Sequence, residues 1–156
     1  MFSRGEGAVR QAAPDSARLD FFLGGGLGTG SAILIGTEMR LASDADRMVR
    51  RLIPAPPLLW AVLGRAAPPA SHDTVFRVDG DTLRVDIGNP LSWRLTFARD
   101  TLRRVERVSG SRVVEWVSRS AGGRVRYRNE LSRRQLDVVV TRIEGTTIDA
   151  AIWTLP

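Results

Sequence analysis

"TVFRVDGDTLRVDIGNPLSWRLTFARD", residues 74–100, decides the fold. Leu83, Val85 and Ile87 point one way along it, and Arg84 and Asp86 the other. Trp93, Leu95 and Phe97 oppose Arg94 and Thr96 in the same manner. This period-two alternation predicts strands with one apolar and one charged face. Asp79-Gly80-Asp81 and Asn89-Pro90 punctuate the run as turns.

Reading onward, the pattern repeats. Arg99-Asp100 turns into "TLRRVERV", Ser109-Gly110 into "RVVEWVS", and Ala121-Gly122-Gly123 into "RVRYR"; "QLDVVVTRI" and "TIDAAIW" are expected to close the series. Val125 and Tyr127 oppose Arg124, Arg126 and Arg128. "TLRRVERV" breaks its alternation at Arg103–Arg104, the signature of a β-bulge. Short strands with a turn signal at nearly regular spacing predict a sandwich or a barrel-like antiparallel meander. A sheet with one wet face cannot be a middle layer, so it is expected to curl around its apolar side.

Reading back, "AAPDSA" joins two strands at 2–11 and 17–23, and "SAILI" and "MRLAS" form a hairpin. The period then changes to 3.6. Ser43 and Asp46 stand as a capping box, and Ala45, Met48, Val49, Leu52 and Ile53 fall on one helical face, with Arg47, Arg50 and Arg51 opposite. Pro54 ends this helix, and "PPLLWAVLG" opens a second with proline in its first turn and Gly64 as its C-terminal cap. The second helix is apolar nearly all round, so it is expected to lie between two apolar surfaces, with Trp60 facing the sheet beside Leu63.

"FFLGGGLGTGSAILI", residues 21–35, imitates a phosphate-binding loop. Gly25 and Gly30 have the Walker spacing, but Ser31 and Ala32 stand where lysine and a hydroxyl belong, and the chain contains no lysine. A further strand is expected after it rather than a helix, so the glycines read as a loose connection between antiparallel strands.

A chain of 156 residues is expected to be a single β-rich domain, with a helical segment at about 44–65, large enough to bury roughly two-thirds of its unfolded surface. The absence of cysteine excludes disulfides, thiolate chemistry and zinc–sulfur sites. The net charge of +6 is carried by arginine and is spread, with 9 Arg against 7 acidic residues in 1–78 and 14 against 10 in 79–156. No apolar run is long enough to span a membrane, and "MFSRGEGAVR" lacks the apolar core of a signal peptide.

Catalytic constellations are not expected. His72 is the single histidine, and Ser71-His72-Asp73 are sequence neighbours, whereas a triad is assembled in space from separate elements. Asp79 and Asp81 serve a turn. No metal-binding motif appears, and no cofactor is expected. The arginines on strand faces suggest nucleic acid, but Trp93, Phe97, Trp116 and Tyr127 read as out of phase with them and acidic residues interrupt the charge. A solvated outer face is the preferred reading and nucleic acid is not an expected partner.

The order of elements, with "MVRRLIPAPPLLWAVLGR", the "DTxxRxDGDTLRV" stretch and the opening "RGEGAVR…PDSARLD", resembles the LolA/LolB-like lipoprotein-localisation superfamily over nearly the whole chain. The resemblance implies an unclosed antiparallel half β-barrel with two short helices covering its apolar concave face. It implies a non-enzymatic module that holds acyl chains of a lipoprotein or phospholipid, in the periplasm or at the outer membrane, with peripheral contact with a membrane surface. Met48, Leu52, Leu58, Leu59, Trp60 and Leu63 would then be lid residues. Leu83, Val85, Trp93, Leu95, Trp116 and Tyr127 would line the cavity. The chain departs from the family in lacking a signal sequence and the lipidated cysteine of the LolB-like branch. The alternative is an interaction or scaffold protein of the same fold with a packed interior.

Overall fold

The structure, a computed structural model, describes residues 4–24, 28–42, 50 and 53–155. The chain is mainly β, with two open antiparallel sheets. It forms two compact units, residues 1–56 with 144–156, and residues 57–143.

The first unit holds β1 (Gly5–Ala12), β2 (Ser16–Leu23), β3 (Gly28–Ile35) and β4 (Glu38–Leu41), paired in chain order. The glycine-rich stretch joins antiparallel β2 and β3, with Leu23 opposite Gly28, and a strand follows it as expected. Ala17, Ala32 and Leu34 are fully buried on one face. On the other, Asp20 accepts from Arg10 Nη1 (2.9 Å), Arg18 Nε (3.0 Å) and Ser31 Oγ (2.7 Å). Three donors on one carboxylate favour its ionised form, and the Asp20 pKa lies below its ordinary value although burial opposes this.

The second unit is a seven-stranded meander: β5 (Thr74–Asp79), β6 (Thr82–Ile87), β7 (Trp93–Ala98), β8 (Thr101–Ser109), β9 (Arg112–Arg119), β10 (Arg124–Asn129) and β11 (Arg134–Val139). Their order in the sheet is their order in the chain, so β5 and β11 are its edges. Two-residue turns place Gly80 (φ 54°) and Gly110 (φ 61°) at the first central position, where a positive φ suits glycine. The bulge expected in β8 is present. Arg104 pairs with Thr96 but Leu102 with Phe97, which leaves Arg103 as the extra residue. A second register shift falls between Arg107–Glu115 and Val108–Val113.

One α-helix, α1 (Pro56–Val62), lies wholly within the described residues. Its end is a Schellman motif: Arg65 N–H donates to Trp60 O at 2.8 Å and Gly64 N–H to Ala61 O at 3.1 Å, with Gly64 at φ 91°. Of the helix expected before Pro54, Arg50 is described and is helical, while Met48 and Leu52 lie outside the described residues. No described helix is long and apolar enough to cross a membrane.

Two expectations are corrected. The strands form two sheets rather than one curved sheet, because β1–β4 pair only among themselves and the segment from 42 to 73 separates them from the meander. "TIDAAIW" is not a strand. Asp149 Oδ1 accepts the Ala151 N–H at 2.9 Å and caps a 3-10 turn at Ala150–Trp153. Arg18 Nη1 takes the carbonyls of Ile152 (2.6 Å) and Thr154 (3.0 Å), so side chains satisfy backbone groups that a ladder would use.

Candidate functional site

The sequence alternation of the second unit becomes a continuous apolar row in space. Phe76, Val85, Leu95, Val105, Val117, Tyr127 and Leu136 stand opposite one another in turn across all seven strands. Side chains at paired positions share a face, so this row is one stripe of a single sheet surface. Leu83 and Phe97 flank it on one side, Ile87 and Trp93 on the other.

The helix α1 packs on this surface through Leu58, Ala61 and Val62, the i, i+3 and i+4 positions of one helical face. Arg119 fixes its end. From β9 it donates through Nη1 to Val62 O at 2.5 Å and to Ala61 O at 3.2 Å. Val62 O lies beyond the last intrahelical bond, while Ala61 O already accepts the Gly64 N–H and shares Arg119 as a second donor; a cation there also complements the helix dipole. Burial draws the Arg119 pKa below its usual value.

One end of the apolar face carries a buried polar network. Glu115 Oε1 accepts from Tyr127 Oη at 2.8 Å and from Asn129 Nδ2 at 2.5 Å, and Glu115 Oε2 pairs with Arg107 Nε at 2.8 Å. Asn129 Oδ1 in turn accepts the Ser132 N–H at 2.8 Å. Among the described residues no buried side-chain donor or acceptor is left without a partner. Desolvation, and then the neighbouring carboxylate, push the Tyr127 phenol up to about 12.

Towards β5 the apolar face is not covered. Phe76 is 64% exposed and Val78, opposite Leu83, is 75% exposed. The apolar stripe therefore runs from a closed region under α1 to an open one at the sheet edge.

The opposite face is a lattice of charges. Asp86 accepts from Arg84 and Arg94, Glu106 from Arg104, Asp137 from Arg126, and Glu130 from Arg128. Hydrogen bonds from Arg84 and Arg94 hold the Asp86 carboxyl below its ordinary pKa. A groove of about 540 Å³ opens on this face beside β5, with His72 and Arg77 in its lining.

The predicted site residues divide accordingly. Val85, Leu95 and Tyr127 lie in the apolar core with Leu58, and Leu83 and Trp93 pack against it. Leu59 and Trp60 are buried but stand outside this cluster, and Leu63 is half-buried. Trp60 is 2% exposed, and the Arg65 guanidinium lies 5.1 Å from its ring centre. Trp116 is the clearest correction. It pairs with Glu106 on the charged face, where Arg104 stacks on its ring at 4.5 Å and its Nε1 donates to Glu130 at 2.8 Å. Met48 and Leu52 lie outside the described residues.

The reading of the sequence missed Phe76, whose signal was the alternation of "TVFRV" itself. It also missed Glu115 and Arg119, charged residues on the apolar face, for which no local signal exists because their partners come from other elements. Ser71 serves the loop before β5, accepting the Asp73 N–H at 3.2 Å, and His72 is exposed. Among the described residues no group of three or more His, Asp or Glu side chains could hold a metal ion. Compared with family models, with curated proteins and with solved structures, the chain matches none.

Proposed function

We propose that the protein is a non-enzymatic lipid-binding module that holds acyl chains against the apolar face of its seven-stranded sheet. The observation that carries this reading is the stripe from Phe76 to Leu136, covered by α1 at its middle and open at Phe76 and Val78. Each buried methylene of an acyl chain contributes about 0.8 kcal/mol, so a smooth apolar surface suffices and no polar code is required. In this proposal the sheet is the wall of an unclosed half-barrel, α1 is its cover, and the protein works outside the cytoplasmic membrane as a LolA/LolB-like lipoprotein carrier. The lining residues are Leu83, Val85, Trp93 and Leu95 together with Phe76, while Trp116 is not part of it.

The test is uptake of a fluorescent fatty acid, with native mass spectrometry of the purified protein for bound lipid. The expected result is saturable uptake that Phe76→Ser weakens without unfolding the protein. Absence of both uptake and bound lipid overturns the proposal.

A second reading is favoured by a separate observation. Leu58, Ala61, Leu95, Val105, Val117 and Tyr127 are each at most 3% exposed, and they fill the space between α1 and the sheet with side chains. This supports an interaction or scaffold protein whose interior is packed and whose open stripe docks a partner. A protein that binds no lipid yet is stabilised by a partner in a Phe76-dependent manner would establish this reading instead.

A further inference from the structure

The edge strand β5 places apolar side chains on both of its faces. Phe76 and Val78 extend the apolar stripe, while Val75, 53% exposed, projects on the charged side opposite Asp86. On that side lies the groove of about 540 Å³, with Val75, Leu91, Arg77, Arg84, Asp86 and Arg94 in its lining.

Its charge is unbalanced in a specific way. Arg77 stands directly opposite Arg84 across the β5–β6 pair, an arrangement that destabilises a sheet. Asp86 offsets the charge of Arg84 but does not bond Arg77. Its Oδ1 is taken by Arg84 Nε (3.1 Å) and Arg94 Nε (2.9 Å), and its Oδ2 by Arg84 Nη2 (3.0 Å). The Arg77 side chain makes no hydrogen bond or ion pair among the described residues. Three guanidiniums therefore line the groove against the carboxylates of Asp73 and Asp86. Elsewhere on this face each of Arg104, Arg126 and Arg128 has its own acid.

We propose that this groove is an oxyanion site that takes the carboxylate or phosphate head of an amphiphile. The site deepens, and rests on, the reading of the apolar stripe as an acyl-chain surface. A single edge strand separates the two: a head held by Arg77 in the groove leaves its chain beside Val75, free to pass over β5 onto Phe76 and Val78. Guanidinium groups suit such a head, because their forked donors match the geometry of a carboxylate or a phosphate. An oxyanion at this point also neutralises the Arg77–Arg84 repulsion.

The test is isothermal titration of the full chain at low ionic strength with decanoate, decanol and inorganic phosphate, on wild type, Arg77→Gln and Phe76→Ser. Arg77 is exposed and unpaired, so Arg77→Gln is expected to keep the melting temperature. Decanoate is expected to bind about tenfold more tightly than decanol, the contribution of one charge-assisted hydrogen bond. Arg77→Gln is expected to erase that difference while leaving decanol unchanged, and Phe76→Ser to weaken both. Equal binding of decanoate and decanol to wild type, or decanoate binding insensitive to Arg77→Gln, overturns the oxyanion site and leaves the acyl-chain reading standing. Arg77-dependent binding of decanoate and phosphate, with no binding of decanol and no effect of Phe76→Ser, keeps the anion site, identifies its ligand as the free anion and overturns the acyl-chain reading. If neither decanoate nor phosphate binds, the proposal fails.

Discussion

The Tyr127 hydroxyl donates to Glu115 Oε1 at 2.8 Å at one end of the mainly apolar sheet face, and Tyr127 is the only tyrosine in the chain. An ultraviolet titration therefore reads this bond alone. Burial and Glu115 raise the phenol from 10.0 to about 12, so the folded protein keeps a proton that the unfolded chain releases. The associated stability is complete below pH 10 and is lost as pH rises through the window to about 12, by roughly 2–3 kcal/mol in total. Tyr127→Phe is expected to abolish that alkaline loss and to cost about 1–2 kcal/mol at neutral pH. A native tyrosine that titrates near pH 10 contradicts the arrangement.

Asp86 is the shared acceptor of Arg84 and Arg94. Asp86→Asn is expected to cost about 1 kcal/mol at neutral pH, because two guanidiniums lose their carboxylate on a partly screened face. The folded pKa lies below 3.8, so this contribution is present above pH 3.8 and is lost as pH falls through the folded value. Denaturation midpoints of wild type and Asp86→Asn should therefore converge in acid. A gap that persists unchanged below that range would sink the assignment.

Arg119 closes the end of α1 by binding two carbonyls of its last turn. Arg119→Met keeps the aliphatic stem but takes the guanidinium donor from Val62 O, while Ala61 O keeps the Gly64 N–H, at an expected cost of about 1–3 kcal/mol. Gly64→Ala is expected to destabilise as well, since Gly64 holds φ 91° and an added Cβ would lie 3.2 Å from Arg119 Nη2. Thermal unfolding checks both. Full stability in Arg119→Met would show that water serves the helix end equally well.

The buried and open parts of the stripe should respond differently to truncation. Leu58→Ala opens a hole beneath α1 and is expected to cost about 2–5 kcal/mol. Phe76→Ser removes a ring that is mostly in water and is expected to leave stability nearly unchanged while lowering fatty-acid uptake. Chemical denaturation and the uptake assay, run on both variants, separate packing from binding. Equal destabilisation by the two substitutions would mean that Phe76 belongs to the core.

How much of this was legible depended on whether a residue's surroundings lay in its own strand. Leu83, Val85 and Ile87 declared their face by alternation, and the Arg103 bulge declared itself as a break in that rhythm. Trp116 could not. In "VVEWVS" the apolar and polar residues do not alternate cleanly, and a register shift that the sequence does not advertise precedes it. Its face is set by pairing with Glu106 and by Arg104 stacking from the next strand. Glu115 was misleading for the converse reason: a carboxylate reads as surface until donors from β8 and β10 converge on it. "TIDAAIW" had the composition of a strand, yet Asp149 and Arg18 offered its backbone better partners than a neighbouring ladder did.

In the second unit every strand is hydrogen-bonded only to the strands that precede and follow it in the chain. Such a sheet is an open ladder whose rungs were laid in the order of synthesis. Loop closure is short at every step, so assembly can advance hairpin by hairpin without waiting for a distant segment. The same wiring makes the ladder modular. A hairpin could be gained or lost beyond β11 without rethreading any other connection, so the width of the sheet is free to vary through evolution while the β5 edge keeps its place.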